Sequence, residues 1–388
     1  MRNKKPLGIY LHIPFCVRKC NYCDFLSAPA QEETRRRYVQ CLTEEIRQFE
    51  AAKEYEVKSV FFGGGTPSIL EGKWIAALME ELEKIFSFSE IPEITIECNP
   101  GTLTAEKLDH YRKSGINRLS LGLQSADENE LKLLGRIHTW EDFYKNYQQA
   151  RESGFENISV DLMSALPGQT VSSWKRTLEK VLALKPEHIS AYSLIIEEGT
   201  PFYDWYGAED EKRRRGLADN GRTVLPSEEE EREMYYDTKR FLTEAGYHRY
   251  EISNYAREGY ESIHNSGYWL RREYVGFGLG ASSQVKNLRC KNTERLEDYL
   301  KSDFFKKEVQ ILTRQEEIEE TMYLGLRMMQ GVNLQGFQKS FGVRVETLYK
   351  ETLEKLERQG LLRIKDGCLR LTDSGIDVSN AVMAEFLL

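Results

Sequence analysis

Three cysteines near the start of the chain are the residues best equipped for chemistry: Cys16, Cys20 and Cys23, spaced C-x3-C-x2-C in the run HIPFCVRKCNYCDF. Three thiolates on one short loop can each take one iron of a cubane cluster and leave the fourth iron open to an outside ligand, much as a catalytic zinc site keeps one position open. The rival is a Cys3His zinc centre that recruits His12, four residues before Cys16. His12 falls inside a predicted strand beside Tyr10, aimed at a barrel lumen, which weighs against zinc. A second element is the run Phe62-Gly63-Gly64-Gly65-Thr66-Pro67, whose glycines let backbone approach a ligand closely and expose amides and carbonyls.

The elements that must position these groups alternate in type. From residue 6 to about 195 the β-rich runs GIYLHIP, VKSVFFGG, EITIECN, INRLSLGLQ, NISVDLM and HISAYSL are separated by helical patterns, which implies an α/β fold on a parallel sheet. Period two along each strand gives one aliphatic face and one polar or small face near the C-terminal end. Leu119, Leu121 and Leu123 oppose Ser120, Gly122 and Gln124; Ile94, Ile96 and Cys98 oppose Thr95, Glu97 and Asn99; Val160 and Leu162 oppose Asp161. A filled barrel would be aliphatic inside as well, so the expectation is a partial, TIM-like (βα)6 barrel with a ligand at its C-terminal rim, where the cysteine loop also emerges. Between the first two strands QEETRRRYVQCLTEEIRQFE has Tyr38, Cys41, Leu42 and Phe49 on one helical face, making Cys41 a core residue.

Composition closes off other classes. With 54 basic against 62 acidic residues, a net charge of −8, the chain is no polycation, and nucleic acid is not expected as a partner. The opening MRNKKPLGIYLHIPF mimics a secretory signal, but His12 and Pro14 interrupt its apolar run and it reads as a first strand. No stretch reaches the ~18 apolar residues of a membrane span, leaving only peripheral membrane contact open. Seven cysteines, an odd number with three clustered, fit the reducing cytoplasm better than a disulfide framework.

Residues 204–235 are charge-rich: KRRR at 212–215 reads as a solvated loop, and SEEEE at 227–231 as a helix start with a Ser227/Glu230 capping box. Domain boundaries are expected at 1–240 for the barrel, 241–310 for a connecting region and 311–388 for a C-terminal domain. The last segment opens with a Thr313/Glu316 capping box, continues with a short helix near 334 and a third over about 344–358, and ends in a hairpin turning at Asp366-Gly367. That pattern is mostly helical and winged-helix-like. The third helix balances Arg344, Lys350, Lys355 and Arg358 against Glu346, Glu351, Glu354 and Glu357, so DNA is not its expected target.

With these motifs in place the chain resembles the radical S-adenosylmethionine (SAM) superfamily, whose signature is C-x3-C-x2-C after a first strand. The neighbouring YLHIPFC and CDF narrow the resemblance to the branch that holds oxygen-independent coproporphyrinogen III oxidases and HemW-type haem chaperones, and it covers nearly the whole chain. It implies a [4Fe-4S] cluster on Cys16, Cys20 and Cys23, and SAM contacted by Tyr10, Tyr22, Gly64, Gly65, Thr66, Glu97, Gln124, Arg136 and Asp161. Glu97, Gln124 and Asp161 are also marked by the strand faces; Arg136 has no such support.

Within that branch three features favour the chaperone. Phe25 stands where the oxidases carry a further cysteine, and fifteen residues precede Cys16 where the oxidases have a longer extension. The run His264-Asn265-Ser266-Gly267-Tyr268-Trp269 matches the H-N-x-x-Y-W motif of the HemW type, which implies haem contact through His264. The expected partners are then haem as cargo and client haemoproteins, such as respiratory ones. The alternative is an oxidase that uses a 5′-deoxyadenosyl radical, and a haem-degrading radical enzyme is a third possibility. GFGLGASS at 276–283 lacks the βαβ context of a dinucleotide fingerprint and reads as close packing beside the site.

Overall fold

The computed structural model describes residues 4–215, 224–302, 304 and 306–388. Residues 216–223 of the charge-rich stretch lie outside them. The six expected strands form β1 (Lys5–Ile13), β2 (Tyr55–Gly64), β3 (Ser87–Cys98), β4 (Arg118–Gln124), β5 (Ile158–Ser164) and β6 (His188–Ser193). They pair in that order, all parallel, through β/α crossovers. Their aliphatic faces, including Leu7, Ile9, Leu11, Ile13, Leu119, Leu121 and Leu123, are buried in one large core. Helix Glu32–Arg47 adds Tyr38, Cys41 and Leu42 to it, so Cys41 is a core residue.

The segment 241–310, expected as a connecting region, extends the same sheet at both edges. Strands β7 (His248–Arg249) and β8 (Asn254–Ala256) continue beyond β6; β9 (Tyr274–Phe277) lies parallel to β1, followed outward by β10 (Ser282–Val285), β11 (Leu288–Asn292) and β12 (Lys306–Ile311). These strands are only two to six residues long, too short for a local alternation to announce them. The glycine run at 276–283 does serve close approach: a Cβ on Gly278, at φ +103°, would meet the His12 carbonyl and the Tyr38 hydroxyl at 2.6 Å.

The basic run at 212–215 is no loop. It ends helix Pro201–Arg214, which begins with the Thr200 cap and a proline in its first turn. Arg213 and Arg214 pair with Asp210, and Arg215 with Glu211, at helical spacing. The Ser227/Glu230 capping box opens helix Glu228–Glu244.

The C-terminal residues bury a separate core that includes Met322, Leu326, Phe337, Leu353, Leu369 and Phe386. Helix Arg314–Gly325 starts at the Thr313/Glu316 capping box, and Leu334–Phe341 follows. The expected third helix is two, Val345–Leu348 and Lys350–Arg358, broken at Tyr349 (φ −114°, ψ 31°). The hairpin turns at Asp366-Gly367, both at positive φ, joining β14 (Leu362–Lys365) to β15 (Cys368–Leu371), and β13 (Val332–Asn333) completes a three-stranded wing. Arg271 and Arg289 of the sheet segment both hold Glu320 of this domain, at 3.1 and 2.6 Å.

Candidate functional site

The C-terminal ends of the parallel strands open into a cleft of about 120 Å³, lined by Cys16, Cys20 and Cys23 above and by Gly64, Gly65, Thr66, Glu97, Asn99, Gln124 and Asp161 below. The cysteine loop is pinned at both ends. The Cys16 amide donates to the Ala28 carbonyl at 3.2 Å, and Asn21 ties the loop to Leu133 and Leu134 through its side chain and amide, each at 2.9 Å. The Phe202 amide donates to the Asn21 carbonyl, so helix Pro201–Arg214 is also part of the loop's footing.

Side chains knit the thiols to the strand ends. Thr66 Oγ1 donates to Cys16 Sγ at 3.5 Å and accepts from Asn99 Nδ2 at 2.8 Å. The Arg136 guanidinium reaches Asn99 Oδ1 at 2.9 Å, the Gly122 carbonyl and Cys20 Sγ at 3.6 Å. Burial pushes the Cys23 thiol up to about 11, so metal-free Cys23 stays protonated at neutral pH and loading a metal displaces its proton.

Among the described residues no three His, Cys, Asp or Glu side chains converge tightly enough to hold a single metal ion. Three thiolates on one loop suit a multinuclear cluster, in which each binds a different iron. His12 could not complete a zinc site: its ring nitrogens are engaged by the Tyr10 hydroxyl and the Leu26 carbonyl, both at 3.0 Å.

The glycine run works differently from the expectation. Its amides are not presented to the cleft: Gly64 N–H donates to Glu97 Oε2, Gly65 N–H to the Ile13 carbonyl and Thr66 N–H to the Phe15 carbonyl. Absence of side chains is what matters, since a Cβ on Gly65 would sit 2.7 Å from the Phe15 carbonyl oxygen and 2.9 Å from Cys16 Sγ. The run lets the cysteine loop close onto β2.

Two buried polar atoms on the cleft's lining residues have no partner, Gln124 Oε1 and Arg136 Nε. Gln124 sits at φ +70°, beside a shift in the β4–β5 register, so a local bulge re-aims its side chain. On a cleft wall, a buried group left unsatisfied in this way is one that a bound ligand can complete. Across the floor, burial and then the nearby Asp161 charge push the Glu97 carboxyl up to about 8. Burial also raises Asp161, against hydrogen bonds from Ser190, Ser120 and Ser159.

All the expected site residues line this cleft except two. Tyr10 lies beneath it in the lumen, its hydroxyl on His12 and its ring 6.2 Å from that of Phe61. His264 is farther down, in helix Ile263–Trp269, and only 3% exposed. Its Nδ1 is 2.9 Å from Ser59 Oγ, its Nε2 is 2.9 Å from the Tyr268 hydroxyl, and Glu93 accepts its amide hydrogen at 2.9 Å. Burial and the Arg272 charge push the imidazole down to about 3. His264, the residue expected to contact haem, is here buried at the base of the barrel with both ring nitrogens satisfied, and it does not reach the cleft. Conversely, Asn99, Ser120, Gly122 and Tyr192 line the cleft without having been singled out as site residues, although the alternation of β3, β4 and β6 carried that signal.

An open parallel barrel with three loop cysteines above a cleft at its strand ends defines a radical SAM fold, and residues 10–181 match the radical SAM superfamily. Residues 312–378 match the HemN C-terminal domain. The chain is 37% identical to a protein of Lactococcus lactis named haem chaperone HemW, over 99% of this chain and 98% of that one. It is 36% identical to the Bacillus subtilis protein of the same name, over 97% and 98%. The chain belongs to the HemW family of radical SAM proteins. The solved structure of Escherichia coli coproporphyrinogen III oxidase shares the fold at a TM-score of 0.83, with 24% identity and coverage of 99% of this chain and 90% of that one.

Proposed function

We propose that this chain carries a [4Fe-4S] cluster on Cys16, Cys20 and Cys23, binds SAM in the cleft beneath it, and serves in the cytoplasm as a haem chaperone that passes haem to client haemoproteins. The observation that carries the cofactor assignment is the convergence, in one cleft, of three free thiols with the unpartnered Gln124 Oε1 and Arg136 Nε. Tyr22, Gly64, Gly65, Thr66, Glu97, Gln124, Arg136 and Asp161 form its wall. When bound, the cluster would supply an open iron and one-electron chemistry at the SAM sulfonium. The chain's own part is to keep Cys16 and Cys20 in place through Thr66, Asn99 and Arg136. Among the described residues no helix is long and apolar enough to cross a membrane.

The chaperone role draws support from the names of the relatives and from Phe25, which replaces the additional cysteine of the oxidases. The buried His264 does not supply an iron ligand in this reading. An anaerobic haem titration of the cluster-reconstituted protein, followed by absorbance, tests the role. Saturable binding, with transfer of haem to an apo-haemoprotein, is the expected result. Absence of specific binding together with SAM-dependent decarboxylation of coproporphyrinogen III would replace the chaperone with the oxidase.

A further inference from the structure

Below the cleft the lumen holds polar groups that the proposed function leaves unused. Asp161, on the cleft wall, accepts from Ser120 Oγ at 3.0 Å and from Ser159 Oγ at 3.3 Å. Ser159 Oγ lies 2.8 Å from His188 Nδ1, and His188 Nε2 lies 2.8 Å from the Tyr250 hydroxyl. The Tyr250 oxygen accepts the backbone N–H of Ser262 at 3.3 Å. Ser159, His188, Tyr250 and Ser262 are all buried, and each belongs to a different part of the chain: β5, β6, the turn after β7, and the cap of helix Ile263–Trp269.

The carboxylate end sets the direction of this line. A backbone N–H only donates and a carboxylate only accepts, while each hydroxyl has one hydrogen to give. Ser159 has one hydrogen; given to Asp161, it leaves the Ser159 oxygen to accept from His188 Nδ1–H, and the neutral ring then accepts at Nε2 from the Tyr250 hydroxyl, whose oxygen also takes the Ser262 N–H. A neutral ring is required throughout, and burial together with the nearby Arg118 charge hold His188 well below its ordinary value. If the Tyr250 hydroxyl is removed, nothing donates to Nε2; the proton can move there, Nδ1 becomes an acceptor, and the Ser159 hydroxyl turns from Asp161 towards it.

We propose that Tyr250, His188 and Ser159 are positioning residues for the cofactor: a one-way hydrogen-bond line from the barrel base that holds Ser159 on Asp161 and so fixes that carboxylate for SAM. The line rests on the reading that SAM occupies the cleft, and it gives β7, β8 and the helix Ile263–Trp269 a part in cofactor binding although none of them lines the cleft.

The test is a double-mutant cycle on SAM affinity, measured by anaerobic calorimetry on cluster-reconstituted protein. Tyr250→Phe and Ser159→Ala each delete one oxygen and spare the fold, whereas His188→Ala would open a cavity. Each single variant is expected to weaken SAM binding by about tenfold, as loss of a hydrogen bond to a charged group does. Because both cut the same line, the double variant should bind no worse than Ser159→Ala alone. Independent structural damage would instead multiply the two losses, and that outcome, or a Tyr250→Phe variant that binds like the parent, overturns the line while leaving the cofactor reading intact. A parent protein that takes up the cluster but fails to bind SAM overturns both.

Discussion

At the rim of the barrel, Gln124 Oε1 and Arg136 Nε are buried with no partner, whereas at its base both ring nitrogens of His264 are bonded and Glu93 accepts the amides of Ile263 and His264. Both regions are rich in polar side chains inside a protein, and both include residues belonging to recognisable motifs. The difference is satisfaction. A buried group without a partner costs about 1–3 kcal/mol, a cost that a ligand can remove where the group lines a cleft, as Gln124 and Arg136 do; Trp269 Nε1 in the base helix is also unpartnered but lies outside this cleft. A buried group with all its partners contributes to the fold and has nothing left to offer a ligand. By this criterion the rim binds and the base plugs.

The comparison would break first at the cysteines. Cys20→Ala should abolish cluster assembly, so that iron and sulfide bound after anaerobic reconstitution fall to background; a variant that still loads a full cluster would remove the rim's claim. Next in size is Gly65→Ala, where the new methyl would press on the Phe15 carbonyl and Cys16 Sγ. Cluster loading should drop to a small fraction of the parent's, although Gly65 donates no ligand.

The base gives the opposite pattern. His264→Ala removes a buried ring held by Ser59 and Tyr268 and stacked 5.0 Å from Phe61. It should cost about 2–4 kcal/mol of folding stability by chemical denaturation. Haem titration of the folded variant should match the parent's, and selective loss of haem binding at unchanged stability would return His264 to a ligand role.

The effect that is spread most thinly, pH unit by pH unit, is a titration. The folded Glu97 carboxyl keeps its proton to about 8, whereas an unfolded one loses it near 4.5. Between those values the folded state binds more protons, so the metal-free protein should lose stability as pH rises, by at most about 1.4 kcal/mol per pH unit. Glu97→Gln should flatten that slope in denaturation curves recorded across the window. An unchanged slope would mean that another group carries it.

Much of the fold was legible because its signals are local. The six parallel strands carry period-two alternation, Ser227/Glu230 and Thr313/Glu316 are capping boxes written within four residues, and Asp366-Gly367 is a two-residue turn. Where a local signal was misjudged, it was present but outweighed: the basic run 212–215 looked like a loop, yet Thr200-Pro201 and the Asp210 and Glu211 pairings already spelled a helix. The polar faces of β3, β4 and β5 pointed to the cleft, and Asn99 and Ser120 could have been taken from the same alternation.

What the sequence by itself determined was the cysteine loop, the glycine run behind it and the strand faces that meet it, since thiol spacing, missing side chains and two-residue periodicity are properties of a chain read in order. Only the tertiary structure decided which polar residues are left unsatisfied. Whether His264 meets a ligand or Ser59, whether the Gly64 amide is open or spent on Glu97, and whether His188 touches Ser159 and Tyr250 at once are questions of partners far apart in sequence. Hydrogen-bond satisfaction is settled when strands and helices from the whole chain close around the lumen, and no stretch of sequence contains it.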